Sequence, residues 1–144
     1  MARVLLDANV LISAAIRPSG PPGEIVTALL LRQAFDLVLS PAIVAEVEKA
    51  FGLPKIRKYL REPDEALLWL ADLMGVADLV KDTGRVKGVS RDPADDLVLA
   101  AAVEGRAGMI VTGDEDLLVL GEYDGIAIVT PRAFLGRLRA ISGT

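Results

Sequence analysis

The stretch from Arg91 to Asp116 constrains this chain most. It reads Arg-Asp-Pro-Ala-Asp-Asp, then the apolar run Leu97–Val103, then Met109-Ile-Val-Thr-Gly-Asp-Glu-Asp116. Acids stand at both ends of a hydrophobic segment whose pattern predicts a buried helix followed by a short strand. In an open parallel sheet, strand C-terminal ends and helix N-termini lie on one edge, where ligands bind. Asp92, Asp95 and Asp96 would meet Asp114 and Asp116 there.

The rest of the chain builds the same kind of layer. Arg3–Asp7 is a short apolar run closed by an acid, the pattern of a buried parallel strand. A helix over Ala8–Ile16 is stopped by the Pro- and Gly-rich loop Arg17–Gly23. A second helix is predicted from about Glu24 to Ala34 and a second strand over Phe35–Leu39. Ser40-Pro41 supplies an N-cap and a first-turn proline for a helix with Ile43, Val44 and Val47 on one face and Glu46 beside them. After the break at Gly52-Leu-Pro54, a short basic helix (Lys55–Leu60) and a longer one (Glu62 to near Gly75) are predicted. A weaker third strand, Val76–Val80, precedes the turn-like segment from Asp82 to Ser90. A helix over Asp95–Arg106, a strand over Met109–Thr112, a short helix over Asp114–Leu120, a fifth strand over Gly125–Val129 and a last helix over Pro131–Ile141 complete the chain. Strands alternating with helices argue for an α/β fold with a right-handed parallel sheet. At 144 residues, with no repeat or low-complexity tract, one domain spanning 1–144 is expected.

Composition narrows the chemistry. An apolar content of 52% argues against disorder. No apolar run approaches the roughly 18 residues of a membrane span, and the N-terminus lacks a signal-peptide layout; a cytoplasmic protein without a membrane partner is the expectation. Cysteine is absent, which removes disulfides and thiolate chemistry. Histidine is absent too, which removes the commonest general base and the usual zinc ligand. A metal here must be held by oxygen, which favours Mg²⁺ or Mn²⁺. The net charge of −4 is unevenly spread. Lys49–Arg91 holds nine basic and six acidic residues, whereas Asp92–Asp124 holds nine acids against Arg106 alone.

Asp7, Glu46, Asp96 and Asp114 can converge on the sheet edge, with Asn9, Ser13, Asp92, Thr112 and Asp116 around them. Four ionised carboxylates in one pocket persist only with cations to neutralise them. Two such ions can activate a water and stabilise the leaving oxygen of a phosphodiester, and that hydrolysis needs no histidine. Each residue also has a structural reading. Asp95 and Asp114 serve as helix caps, Asp92 before Pro93 as turn chemistry, Glu46 as a solvated side chain, and Asn9 and Thr112 as turn formers. Arg17, Lys55, Arg57, Lys58, Arg61, Lys87 and Arg91 read as phosphate contacts or as solvated basic faces. Phe51, Tyr59 and Trp69 are the aromatics nearest the basic flank.

Taken together, Asp7-Ala-Asn9, Ser40-Pro-Ala-Ile-Val-Ala-Glu46, Asp92-Pro-Ala-Asp-Asp96, Thr112-Gly-Asp114-Glu-Asp116-Leu-Leu and Ile128-Val-Thr-Pro-Arg-Ala-Phe-Leu135 resemble the motifs of PIN domains, and the likeness spans the chain. It is nearest in type to the single-domain PIN proteins related to VapC toxins. The resemblance implies a three-layer α/β sandwich with a five-stranded parallel sheet ordered 3-2-1-4-5. It also implies a metal-dependent ribonuclease acting on single-stranded RNA with one or two Mg²⁺ or Mn²⁺ ions. Asp7, Glu46, Asp96 and Asp114 would form its acidic quartet. Asn9, Thr112 and Asp116 would orient ligands or water, Asp116 joining the metal set, and Asp92 would assist. Between the adjacent acids, the four-residue offset from Asp96 to Ala100 favours Asp96 and leaves Asp95 nearer the cap. Toxin relatives are held by a small antitoxin, and the apolar content suits such a partner or a homodimer. The competing reading is a PIN-like scaffold that binds RNA or protein without cutting. A haloacid-dehalogenase-type phosphatase is disfavoured because Asp7-Ala-Asn9 lacks its second aspartate. A response-regulator receiver is disfavoured because the third strand ends in Leu79-Val80 and the fifth is followed by Thr130-Pro131.

Overall fold

In the computed structural model, which describes residues 1–142, six strands form one sheet in the order β3-β2-β1-β4-β6-β5. The central strands are β1 (Arg3–Leu6), β2 (Asp36–Leu39), β4 (Met109–Val111) and β6 (Ile126–Val129), all parallel. Their residues are almost continuously apolar, as strands covered on both faces must be; Val4, Leu5, Leu6, Val38, Leu39, Ile110 and Val111 are wholly buried. β3 is only Asp78–Leu79, a short parallel edge strand. The expected order of five parallel strands therefore stands with one correction: a sixth, antiparallel strand, β5 (Glu122–Tyr123), pairs with β6 at the far edge. Its turn is Asp124-Gly125, both at positive φ (51° and 79°). That pair matches the twist of a tight hairpin.

Helices α1 (Ala8–Ile16), α2 (Pro21–Arg32), α3 (Pro41–Phe51), α4 (Pro54–Arg57) and α5 (Pro63–Val76) lie between β1 and β3 in the chain. After them come α6 (Pro93–Glu104), α7 (Glu115–Leu118) and α8 (Pro131–Ser142). The strand order runs outward from β1 through β2 to β3, then reverses to β4. Right-handed crossovers therefore put α1–α5 on one face and α6 on the other. α6 lies close on β1 and β2. Its inward residues are Val98, Leu99 and Ala100–Ala102, and the small alanines let the helix approach the sheet. α8 returns to α2, and Phe134 meets Phe35 edge-on at 5.2 Å between ring centres. One hydrophobic cluster runs through these elements except the exposed edge strand β3. The reversal between β1 and β4 opens a crevice at their C-terminal ends.

Candidate metal centre

Asp7 follows β1 directly and does two jobs. Its Oδ1 accepts the Ala8 N–H at 2.8 Å, capping α1, and its Oδ2 accepts the Thr112 hydroxyl at 2.8 Å and the Asn9 amide at 3.0 Å. Thr112 stands beside it because β1 and β4 are neighbours, with the Asp7 N–H donating to the Val111 carbonyl. The Thr112 hydroxyl also receives the Asp114 N–H, and Asn9 Oδ1 receives the Gly113 N–H at 2.8 Å. The residues after both strands are thus knitted into one unit. Burial nevertheless raises the Asp7 carboxyl above its ordinary range, outweighing the lowering by Thr112, Ala8 and Asn9; the charge of Asp114 adds to the rise.

Asp92 caps α6, its Oδ1 accepting the Ala94 N–H at 3.0 Å, and Pro93 opens the helix. Asp95 stands three residues beyond the cap, where a helical side chain points back over the first turn. There an oxygen of its carboxylate and one each from Asp114 and Asp116 lie within 4.8 Å of one another, and Asp95 accepts the Ser90 hydroxyl at 3.0 Å. Asp114 caps α7 by accepting the Asp116 N–H at 2.9 Å. Burial, followed by the hydrogen bond and charge of Asp114 and the charge of Asp92, pushes the Asp95 carboxyl up to about 7 against the lowering by Ser90. Glu46 projects from α3, exposed; partial desolvation and the charges of Asp7, Asp92 and Asp114 raise its pKa. Hard oxygen donors that crowd until one of them keeps its proton are the donor set that suits Mg²⁺ or Mn²⁺. The residues fit the group.

The structure distributes the expected residues differently from the sequence reading in several places. Asp96 is not among the acids that gather. It is buried, and both of its oxygens are taken by backbone: Oδ2 accepts the Gly88 N–H at 2.9 Å and Oδ1 the Ser90 N–H at 2.8 Å. The offset to Ala100 did mark a buried face, but a four-residue repeat cannot say whether a carboxylate there meets acids or amides. Asp7 and Glu46 of the expected quartet are not part of the group of three, and Asp95, rather than Asp96, is the acid that shares it with Asp114 and Asp116. The signal available was its third position after the Asp92 cap. Ser90, the other residue not anticipated, carries no sequence mark beyond its nearness to Asp92.

Ser13 is exposed on α1 and, among the described residues, bonds to none of the acids. Arg17 ends α1 at the opposite end from Asp7, and nine helical residues span about 13 Å. Lys55, Arg57, Lys58 and Arg61 are exposed around α4, and no described ion pair joins them to the acids. Lys58 lies over the Tyr59 ring at 5.1 Å. Phe51 is buried against the half-buried Trp69, and Tyr59 is the exposed one of the three aromatics. Of the last two basic residues, Arg91 borders the acids, pairing with Asp116 at 3.4 Å, whereas Lys87 is exposed in the segment tied to Asp96.

A parallel α/β sheet with an all-oxygen acidic cluster at its switch point defines an acid-centred α/β protein. Residues 3–116 match the PIN domain model, and the chain belongs to the PIN domain family. It is 31% identical over 141 residues to the uncharacterized protein MJ1680 of Methanocaldococcus jannaschii, covering 92% of this chain and 89% of that one. Two solved structures share the fold. PAE2754 of Pyrobaculum aerophilum superposes with a TM-score of 0.67 at 18% identity, over 96% of this chain and 90% of that one. VapBC2 of Rickettsia felis, solved bound to a DNA fragment from its promoter, gives 0.60 at 11% identity, over 89% and 98%.

Proposed function

We propose that this PIN-domain protein is a metal-dependent endoribonuclease that hydrolyses phosphodiester bonds in single-stranded RNA. The observation that carries the reading is the cluster of Asp95, Asp114 and Asp116 at the β1/β4 switch point, bordered by Asp7 and Glu46. Asp95, Asp114 and Asp116 would hold a divalent cation, Mg²⁺ or Mn²⁺, with Asp7 and Glu46 available to a second. Such an ion supplies Lewis-acid activation of water and neutralises charge on the phosphate.

The chain's own residues do the rest. Thr112 and Asn9 hold the Asp7 carboxylate by its Oδ2 and so fix its direction. Ser90 does the same for Asp95. Arg91, paired with Asp116, and the exposed Lys87 three residues before Ser90 would offer phosphate contacts near the acids. Glu46, exposed and raised in pKa, stands where it can accept a proton from water entering the crevice. The likeness to the VapBC2 fold supports a further reading as the toxin of a toxin–antitoxin pair, held by a small antitoxin; assembly as a homodimer rests on the high apolar content alone.

The test is cleavage of a mixed single-stranded RNA pool with Mg²⁺, Mn²⁺ or EDTA, by wild type and by Asp95→Asn. Metal-dependent cutting that falls at least 100-fold in Asp95→Asn is the expected result, a loss of about 2.7 kcal/mol of transition-state stabilisation. Undiminished cutting in EDTA would sink the metal reading, and no cutting by folded protein with any metal would sink the nuclease reading.

A further inference from the structure

The segment between β3 and α6 forms neither helix nor strand, yet it carries Lys81, Arg85, Lys87 and Arg91; Arg85 pairs with Glu104 at the far end of α6, and only the part from Gly88 to Arg91 reaches the acids. Three attachments hold it there. Asp82 Oδ2 accepts the Ala42 N–H at 2.9 Å, which ties its start to α3. Val86 is buried in the core. Asp96 then accepts two N–H groups of the segment, Gly88 at 2.9 Å and Ser90 at 2.8 Å. Gly88 stands at φ +69°, so the chain reverses between those two bonds.

We infer that Asp96 is a positioning residue: it clamps the Gly88–Ser90 turn so that Lys87 and Arg91 face the phosphates of a bound RNA strand. The inference rests on the nuclease reading for its substrate, but not for its geometry. A buried carboxylate that accepts two backbone N–H groups makes charge-assisted bonds, and here each bond ties one point of the segment to α6. Adjacent aspartates thus divide the work. Asp95 joins the acids, Asp96 holds the loop over them, and the Ser90 backbone and hydroxyl serve one each. Without the clamp, Lys87 and Arg91 sit on a segment free to swing away. Their phosphate contacts then carry the entropy of ordering it at each binding event.

The test compares Asp96→Asn with Asp95→Asn and with the double variant Lys87→Ala/Arg91→Ala. Three readouts are used: Mn²⁺ affinity without RNA, the Kd for a fluorescent single-stranded oligoribonucleotide in EDTA, and amide hydrogen exchange over residues 84–91. Asp96→Asn keeps one acceptor and loses the other, so it should speed exchange at Gly88 and Ser90. It should weaken RNA binding by about fivefold or more and leave Mn²⁺ affinity within about twofold; each lost phosphate contact lowers the salt slope by about one. Where cleavage is measurable, KM should rise more than kcat falls. Lys87→Ala/Arg91→Ala should weaken RNA binding to a similar degree with exchange unchanged, and adding Asp96→Asn to it should weaken binding little further. Loss of Mn²⁺ binding in Asp96→Asn would overturn the inference by making Asp96 a ligand. RNA affinity unchanged in Asp96→Asn would overturn it as well. Should Asp96→Asn fail to fold, unchanged affinity in Lys87→Ala/Arg91→Ala overturns it independently. Because Kd and exchange are read without turnover, failure of the nuclease reading remains separate from failure of the clamp.

Discussion

Thr112 is the residue on which the crevice's geometry turns. It is wholly buried, donates its hydroxyl to Asp7 and accepts the Asp114 N–H, so one atom couples the ends of two strands. Thr112→Val keeps the shape and removes the hydroxyl, leaving a buried carboxylate short of a donor and an N–H short of an acceptor. Such losses cost about 1–3 kcal/mol each. We expect a destabilisation in that range at neutral pH by denaturant unfolding. The Asp7 part should shrink as the pH falls through the raised pKa of Asp7, where the carboxyl gains its proton. A penalty that is independent of pH would mean that Thr112 acts through packing alone.

Among the elements, the join between α1 and α2 is the tightest. Gly23 is buried in the first turn of α2, and a Cβ placed on it would run into the backbone carbonyl of Pro18. Neither side can yield without moving a helix. Gly23→Ala is therefore expected to cost about 3 kcal/mol, at the upper end of overpacking effects, read as a lowered midpoint in urea. A change below about 0.5 kcal/mol would show that the α1–α2 loop relaxes freely. This helix pair also lines an apolar cavity of about 320 Å³ with Trp69 and Leu60, away from the acids.

For the whole molecule, the three raised carboxyls make stability depend on pH and on cations together. Asp95, Asp7 and Glu46 all keep protons that the unfolded chain has released. Their favourable contribution is fully present below the unfolded pKa values near 4 and is lost as pH rises, for Asp95 through about 7. Without metal, these groups make the protein less stable at pH 8 than at pH 5. A divalent cation reverses that trend, because it binds the ionised cluster and competes with the proton. Mn²⁺ at about a hundred times its Kd adds about 2.7 kcal/mol, or roughly 5–10 °C in Tm for a chain of this size. We expect that gain at pH 8 and little of it at pH 5, with Asp95→Asn removing it at both. An equal gain at the two pH values would place the bound ion elsewhere.

Much of this could be read from one dimension. The apolar runs of β1, β2, β4 and β6, the Ser40-Pro41 helix start and the alanine-rich α6 are local patterns, and hydrophobic periodicity with cap chemistry is enough to announce them. That Asp7 and Asp114 follow strands came from the α/β alternation, and that those strands are neighbours came from the resemblance to PIN domains. Three things did not. The hairpin strand β5 is two residues long, too short for any period, and exists because Asp124-Gly125 turns it back onto β6. The basic side chains around α4 are exposed and, among the described residues, pair with none of the acids, because charge along the chain does not say which way a surface points. Asp95 and Asp96 are adjacent and chemically identical, so composition and motif treat them alike. Their roles part only when α6 docks, one carboxylate turning to the acids and the other to the Gly88–Ser90 amides. Sequence determined that several acids would stand at strand ends and helix starts, and so on one edge of a parallel sheet, since those are local features. Tertiary structure alone decided which oxygens face one another, since that depends on how a helix is rotated against a loop distant from its own hydrogen-bonding pattern.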